Sequence, residues 1–292
     1  MDLNIFFQNI IAGLETGSLY ALAALGLVMI FRTSKVVNFA QGEMAMFSSF
    51  IALKLWQNSM PYAVAFIGAV LFAVIFGLLV ERIFMRPALK ASLVSKMIVT
   101  LGLIMIIDGL ASSVFGIDTH SFPKAVNASN MNISGVIIQP NALFIIAMTL
   151  VIMGVLFYIM QKTMLGISIR ATAQNEITAT LMGIPVKKIY ALSWIFATVL
   201  GAVAGVLIAP TTDISTTMMM EMHLKSFIAA VLGGFGSFVG PVVGGFVIGV
   251  LDNLVGYYVS LKWKTVIVYG LLIVILVVKP TGLFGKAYRK KV

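Results

Sequence analysis

The sequence predicts an all-α, polytopic integral membrane protein. Of its 292 residues, 60% are hydrophobic and only 10% are charged, and the mean hydropathy is +1.06, all outside the usage of soluble globular domains. A membrane-spanning helix needs roughly 20 apolar residues, and about eight segments meet or approach that length. In chain order they are 5–31, 36–56, 61–80, 97–115, 142–160, 189–209, 224–255 and 265–278. The whole chain, 1–292, is predicted to form a single transmembrane domain.

The first and sixth segments each carry a pair of glycines four residues apart. These pairs are Gly13 with Gly17 and Gly201 with Gly205. Small residues at this spacing let a neighbouring helix approach closely inside a membrane. We therefore expect both segments to lie in helix interfaces.

The seventh segment, 224–255, is apolar but interrupted by glycines. Non-helical backbone at membrane depth survives only where it is buried in protein or lines a cavity. The break predicts a segment that enters and leaves on one side, as a re-entrant pair or a full hairpin. Gly233, Gly234 and Gly236 are candidates to line a pathway, because broken helices expose backbone dipoles to polar solutes in transporters. Tight packing through small residues is the alternative role.

The distribution of lysine and arginine predicts the topology. Cytoplasmic loops are enriched in both, which places Arg32 and Lys35, the run 82–96 and the loop 162–188 inside, and the polar loop 116–141 and the N-terminus outside. If the segment 224–255 enters and leaves the membrane on the same side, the chain crosses the membrane an even number of times after the loop 162–188. The basic C-terminal tail then lies in the cytoplasm as well. That tail contains Lys279, Lys286, Arg289, Lys290 and Lys291. The basic residues predicted to lie outside are Lys54, Lys124, Lys225, Lys262 and Lys264.

Polar residues open the second segment, in the order Asn38-Phe-Ala-Gln-Gly-Glu43. If a helix starts near Lys35, Glu43 lies ~12 Å along it, near mid-membrane. A carboxylate there costs roughly 2.5–3.5 kcal/mol on insertion scales, so it should face water or a partner. An interhelical hydrogen bond or ion pair is the alternative to a transport role. The pathway candidates outside the glycine break are Asn38, Gln41, Gly42, Glu43 and Asp108.

A polar segment, 165–184, separates the fifth and sixth apolar segments. We predict one helix of about 15 residues, ~20 Å long, which is too short and too polar to cross a bilayer. Ser168 is expected to cap its start, Gly183 to end it, and Pro185 to begin the next helix. One face of this helix would carry Leu165, Ile169, Ile177 and Leu181, and another Ala171, Asn175, Ala179 and Met182. A helix of this kind beside the membrane can serve as a docking surface, or it can be an ordinary amphipathic connector.

The pattern Arg170-Ala-x-x-x-Asn-Glu-x-x-Ala-x-x-x-Gly-Ile184 in this segment resembles the coupling loop of ABC importer permeases. It is similar to the version found in branched-chain amino acid permeases of the LivH type, in the LivH/LivM family. Two further stretches resemble the same family: Lys225-x-Phe-x-Ala-x-Val-Leu-Gly-Gly-Phe-Gly-Ser, and the closing Lys279-Pro-Thr-Gly-Leu-Phe-Gly. The family commonly has His where this chain has Gln41, a departure that weakens any proton-relay role. The resemblance assigns ATPase coupling to Arg170, Asn175, Glu176, Ala179, Gly183 and Ile184.

The resemblance implies a permease subunit of an ABC importer for branched-chain, hydrophobic amino acids in the bacterial inner membrane. Separate ATPase subunits would hydrolyse ATP and contact the loop 162–188. A LivM-like second permease and an extracytoplasmic substrate-binding protein would complete the system. The alternatives are a permease of the same family for urea or short amides, and an ion-coupled carrier or channel that uses Glu43, Asp108 or Glu15 as a relay.

Other functional classes find little support in the sequence. The chain has no cysteine and no G-x-x-x-x-G-K-[ST] motif, so neither a thiolate site nor a P-loop is encoded. We find no catalytic constellation and no set of metal ligands, and expect no enzyme activity and no cofactor in this chain. The formal charge of +10 comes from residues scattered over short loops, which argues against nucleic-acid binding.

Overall fold

The computed structural model describes residues 3–279 and 281–285, with the side chain of Leu272 left out. These residues are helical apart from connecting loops and one short β-hairpin. The helices are α1 (Leu3–Ser34), α2 (Gln41–Gln57), α3 (Tyr62–Val80), α4 (Leu93–Phe115), α5 (Pro140–Lys162), α6 (Met164–Gln174), α7 (Glu176–Leu181), α8 (Val186–Thr212), α9 (Met220–Gly233), α10 (Val239–Tyr258) and α11 (Lys264–Val278). A π-helical turn, Glu81–Met85, extends α3, and a 3-10 turn, Pro87–Lys90, follows it.

Six helical stretches in the described part of the chain are long and apolar enough to cross a membrane. They are Leu3–Ser34, Tyr62–Met85, Leu93–Phe115, Pro140–Lys162, Val186–Thr212 and Val239–Tyr258. Each of the eight predicted segments coincides with one helix, except the seventh, which forms α9 and α10. The prediction of an all-α polytopic membrane protein is confirmed. The tail residues Lys286, Arg289, Lys290 and Lys291 lie outside the described residues.

The seventh segment folds as two antiparallel helices. A Cβ atom added to Gly233 would collide with the backbone of Gly240, and one added to Gly244 with the backbone of Ala229, so residues on α9 approach residues on α10 in reverse order. The arms differ in length: α9 has 14 residues, ~21 Å, and α10 has 20 residues, ~30 Å. The segment is therefore a hairpin with one arm shorter than the apolar core of a bilayer.

The second segment differs from the prediction at its start. Residues 36–40 are not helical, and α2 begins only at Gln41. The Asn38 side chain explains the delay, because its Oδ1 accepts a hydrogen bond from the Ala40 amide at 3.1 Å and so favours a turn. Glu43 therefore lies in the first turn of α2 and not ~12 Å along a helix that starts near Lys35, whereas its predicted position near mid-membrane stays a prediction.

The polar loop 116–141 contains a small antiparallel hairpin. Strand β1 (Met131–Ile133) pairs with β2 (Val136–Ile138) in the register Met131 with Ile138. The turn contains Ser134 and Gly135, both with positive φ, and the Gly135 amide donates to Asn132 Oδ1 at 2.9 Å. The apolar residues in the second half of this loop therefore form a β-ribbon.

The described residues divide into two compact units. The first contains residues 3–28, 126–150 and 224–285, and the second contains 29–125 and 151–223. In the first unit, a Cβ on Gly13 would lie 2.6 Å from Val250 Cα and one on Gly17 2.9 Å from Phe246 Cα. The predicted close approach at this glycine pair is confirmed, and the neighbouring helix is α10.

In the second unit, α2, α3 and α8 pack against one another. A Cβ on Gly205 of α8 would lie 2.6 Å from the Ser49 hydroxyl of α2, and one on Gly77 of α3 would lie 2.7 Å from the Thr198 hydroxyl of α8. Trp194 is 2% exposed and lies in the hydrophobic core that these helices share. The predicted interface at Gly201 and Gly205 is therefore with α2.

Candidate functional site

The polar segment between α5 and α8 forms two helices, so the prediction of one helix over 165–184 is wrong. Asn175 interrupts it with extended backbone, at φ −156° and ψ 111°, and its Oδ1 accepts the Thr178 amide at 3.0 Å to cap α7. Asn is among the best N-cap residues, which explains why the break falls here. The start is also different, because Thr163 caps α6 and Ser168 donates to the Met164 carbonyl within that helix.

Because the segment breaks at Asn175, the residues predicted to share a helix face do not do so. Ile169 on α6 is buried, whereas Ile177 and Leu181 on α7 are 73% and 82% exposed, so these residues do not share one face. Ala179 is 3% exposed and Met182 is 78% exposed, so the second predicted face is wrong too. The turn at Asn175 changes the direction of α7 relative to α6, and the exposed residues of α7 include two large apolar ones.

Several contacts anchor α7 and its surroundings to the second unit. Ala179 packs in a small core with Val186 and Tyr190 of α8. The Tyr190 hydroxyl donates a hydrogen bond to the Glu176 carboxylate at the start of α7. At the α5–α6 turn, Arg170 donates to the Met160 carbonyl. The buried side of α7 is thereby fixed while its other side stays free to make contacts.

The remaining predicted coupling residues shape the end of this segment. Gly183 has a φ of +82°, a left-handed conformation that glycine adopts without strain, and it ends the turn after α7 as predicted. Ile184 is half-buried and packs beside Ala179. The pattern that resembles a coupling loop thus holds α7 in place, and the apolar residues Ile177 and Leu181, which the pattern did not single out, face outward.

The pathway candidates at the start of α2 lie together in the second unit. Asn38 and Gln41 are each 1% exposed. Gly42 lies against His223, since a Cβ added there would be 3.0 Å from His223 Cβ. The structure thus places a histidine of α9 beside one of these candidates.

Two carboxylates lie near each other in the same unit. Glu43 of α2 and Asp108 of α4 are both half-buried and are close enough to interact electrostatically. Glu43 Oε2 is buried and accepts no hydrogen bond within the described residues. The two sequence candidates are therefore neighbours, and whether they line a pathway stays a prediction.

At the glycine break, the structure gives two of the three glycines a packing role. The backbone of Gly233 touches that of Gly240, and Gly234 has a φ of +91° with no room for a Cβ, which would lie 2.7 Å from the Thr281 carbonyl oxygen. A residue near the end of the described chain contacts this turn, since the Leu283 amide donates a hydrogen bond to the Leu232 carbonyl at 2.7 Å. Gly236 has open space around it. A pathway role for the three glycines stays a prediction.

A buried ion cluster in the first unit is the feature that the sequence analysis missed. Lys225 Nζ lies 2.9 Å from Asp252 Oδ2, and Lys264 Nζ lies 2.8 Å from the same oxygen. The Lys225 and Asp252 side chains are each 2% exposed. Lys225, which was counted among the outside residues, is thus buried within α9 and paired with Asp252 of α10, and the side of the membrane on which it lies stays a prediction.

Comparison with known proteins identifies the family. Residues 9–276 match the family described as "Branched-chain amino acid transport system / permease component". The chain belongs to this permease family. Its relatives include the high-affinity branched-chain amino acid transport system permease protein LivH of Salmonella typhimurium, 31% identical over 98% of both chains. BraD of Pseudomonas aeruginosa, a permease protein of the same description, is 29% identical over 98% of both chains.

A solved structure supports the fold of the permease. One chain of "PsaBC from Streptococcus pneumoniae in complex with Fab" matches 92% of the permease and 90% of its own length, with a TM-score of 0.50 and 15% identity. This likeness concerns the fold alone. Together with the six candidate spans, family membership makes the permease a multi-pass membrane protein of a transport system, and the predicted resemblance to LivH-type permeases is confirmed.

Proposed function

We propose that the permease is the membrane-spanning subunit of an ABC importer for branched-chain amino acids, driven by separate ATPase subunits. Family membership supports the transport class. The observation that carries the rest is a group of exposed apolar residues on α7 and at its C-terminal cap: Ile177, Leu181 and Met182 are 73%, 82% and 78% exposed. Exposed apolar residues held on an anchored polar segment are typical of a protein interface.

The ATPase partner follows from how α7 is held. Because Ala179 and Glu176 join α7 to α8, a push on the exposed side is transmitted to a membrane-spanning helix. The hydrogen bond from the Thr178 amide to Asn175 stabilises the start of α7, which is only six residues long. The ATPase subunits therefore contact Ile177 and Leu181 from the cytoplasm.

The remaining partners and the orientation follow from the family resemblance and the charge distribution. An extracytoplasmic binding protein delivers the substrate, and a LivM-like chain is the second permease. The loop 162–188 and the C-terminus face the cytoplasm of a bacterial cell, and the N-terminus and the loop 116–141 face outward. A cavity in the second unit supports one part of this topology, since the C-terminal end of α1, the π-helical turn after α3 and the N-terminal parts of α4 and α8 meet there.

The substrate class is branched-chain amino acids. Buried amides at Asn38 and Gln41 offer hydrogen bonds to a zwitterion without adding fixed charge. Urea and short amides, which could form hydrogen bonds with the same side chains, are the alternative substrates. Uptake of labelled leucine by the complete system is measured with excess unlabelled valine or with excess urea. If urea inhibits uptake and valine does not, the amino-acid assignment is ruled out.

The docking surface is tested with the double variant Ile177→Asp/Leu181→Asp. Both residues are exposed, so folding should be retained, while co-purification with the ATPase subunits and ATP-driven leucine uptake should both be lost. Ile133→Asp is the matched control, since Ile133 is 56% exposed in the β-hairpin, and it should leave both activities intact. Normal ATPase binding by the double variant would overturn the proposed docking site.

An ion-coupled carrier is the second candidate, and the adjacency of Glu43 and Asp108 is the observation that favours it. Reconstituting the permease alone in vesicles with an imposed proton gradient tests it. The importer proposal expects no leucine uptake without ATPase subunits. Gradient-driven uptake that disappears in Glu43→Gln would establish the carrier instead.

A further inference from the structure

The second unit contains a cavity beneath the α6–α7 segment. Its volume is about 170 Å³, several times the ~30 Å³ that one water molecule occupies in the liquid. The end of α1, the π-helical turn after α3, the start of α4, and helices α6 and α8 all contribute to its wall. The residues that line it include Lys35, Glu81, Lys96, Thr172, Glu176 and Trp194.

The charges around the cavity do not cancel. Glu81 is neutralised by Arg86, whose Nη2 lies 2.8 Å from Glu81 Oε2. Glu176 accepts a hydrogen bond from the Tyr190 hydroxyl. Lys35 and Lys96 form no ion pair and no side-chain hydrogen bond within the described residues. Two uncompensated cations thus face one carboxylate, which leaves the cavity positive.

A buried hydroxyl also lacks a partner there. Thr172 is 3% exposed, and its Oγ1 makes no hydrogen bond within the described part of the chain. Buried hydroxyl groups almost always have a partner, so an isolated one in a cavity wall indicates a ligand. Thr172 thus brings an unpartnered hydroxyl to the α6 part of the cavity wall.

The backbone and charge of Lys35 indicate the same ligand. Lys35 follows α1 with a φ of +59°, a left-handed conformation that is strained for a residue with a side chain. Burial, and then the neighbouring Arg32 guanidinium, lower the pKa of Lys35, because both disfavour its charged form. An anion in the cavity would favour the charged form of Lys35 and so counteract the effects of burial and of Arg32 on its pKa.

We propose that this cavity binds a phosphate group through Lys35, Lys96 and the Thr172 hydroxyl. The cavity lies where several membrane-spanning helices begin or end, at the level of lipid headgroups, so an anionic phospholipid is one source and free phosphate is the other. The bound group connects α6 to the ends of α1 and α4. It therefore stiffens the base of the α6–α7 segment, and this role is independent of which solute the permease transports.

Trp194 provides a direct readout because it lines the cavity. The chain has three tryptophans, and the other two, Trp56 and Trp263, are 38% and 60% exposed and can be replaced by Phe. The experiment uses the full-length Trp56→Phe/Trp263→Phe protein, with inorganic phosphate added in detergent or with phosphatidylglycerol added to phosphatidylcholine nanodiscs. We expect a saturable change in Trp194 emission in at least one arm.

Variants decide whether the signal comes from the cavity. Thr172→Val, Lys35→Gln and Lys96→Gln should each weaken the apparent affinity by about tenfold, since each removes one hydrogen bond to a charged ligand. Lys187→Gln is the control, because Lys187 is an exposed lysine in the first turn of α8 that does not line the cavity. A response to inorganic phosphate identifies free phosphate, and a response to phosphatidylglycerol alone identifies a lipid. Absence of a saturable response in both arms, or equal affinity in Lys96→Gln and Lys187→Gln, overturns the proposal.

Discussion

Lys225 and Asp252 form an ion pair across the α9–α10 hairpin, with Lys225 Nζ 2.9 Å from Asp252 Oδ2 and both side chains almost completely buried. The two residues are 27 positions apart and belong to different arms. Lys264, at the start of α11, adds a second cation to the same carboxylate oxygen. One carboxylate thus holds together three helices of the first unit.

Removing this carboxylate should destabilise the permease strongly. Asp252→Leu removes the carboxylate that pairs with the buried Lys225, and we expect a loss of about 3–5 kcal/mol in the free energy of unfolding. Lys264→Met should cost much less, because Lys264 is 25% exposed and Lys225 still pairs with Asp252. Thermal unfolding of the detergent-solubilised protein measures both. The double variant Lys225→Met/Asp252→Leu should recover most of the stability, and an unchanged melting temperature in Asp252→Leu alone would contradict the structural role.

The α1–α10 interface should not tolerate side chains at its glycines. Gly13→Ala places a Cβ 2.6 Å from Val250 Cα, and overpacking of this kind costs about 1–3 kcal/mol. Gly154→Ala is the matched control, because it lies within α5 with no atom within 4 Å of its added Cβ. Helix propensity alone should make that control neutral or stabilising by up to about 1 kcal/mol. Equal melting temperatures for the two variants would show that α1 and α10 do not pack as described.

The cap at Asn175 should control how well α7 is formed. Asn175→Ala removes the acceptor for the Thr178 amide and should cost about 1 kcal/mol of local stability. Hydrogen exchange should then accelerate in residues 176–182, and binding of the ATPase subunits should weaken by about fivefold. Asn175→Asp keeps a cap acceptor and should retain slow exchange. If exchange in Asn175→Ala matches the parent protein, the cap is not what separates α6 from α7.

The proposed topology can be tested without altering the background sequence, since the chain contains no cysteine. Thr180→Cys, exposed on α7, should react with a membrane-impermeant maleimide only in inside-out vesicles. Ile133→Cys, exposed on β1, should react only in intact spheroplasts. Labelling of Thr180→Cys from outside would reverse the orientation and remove the ATPase contact.

Local sequence patterns predicted most of the fold. Long apolar runs locate spanning helices because the cost of exposing polar groups to lipid depends on composition over about 20 residues. The glycine pair at Gly13 and Gly17 correctly indicated a tight interface, since only the absence of a side chain is needed for close approach. Boundaries were less predictable: Asn38 delays α2 and Asn175 divides the polar helix, because in each case a side-chain oxygen competes for a backbone amide.

What the sequence by itself determined is the class of protein, the approximate spans and the family, because hydrophobicity and motif spacing are properties of short continuous stretches. Only the tertiary structure decided the partners: Asp252 for Lys225, Tyr190 for Glu176, and the cavity that collects Lys35, Lys96 and Thr172. Each of these groups is far from its neighbours along the chain. Which of them meet depends on how the helices pack, and no local pattern encodes that.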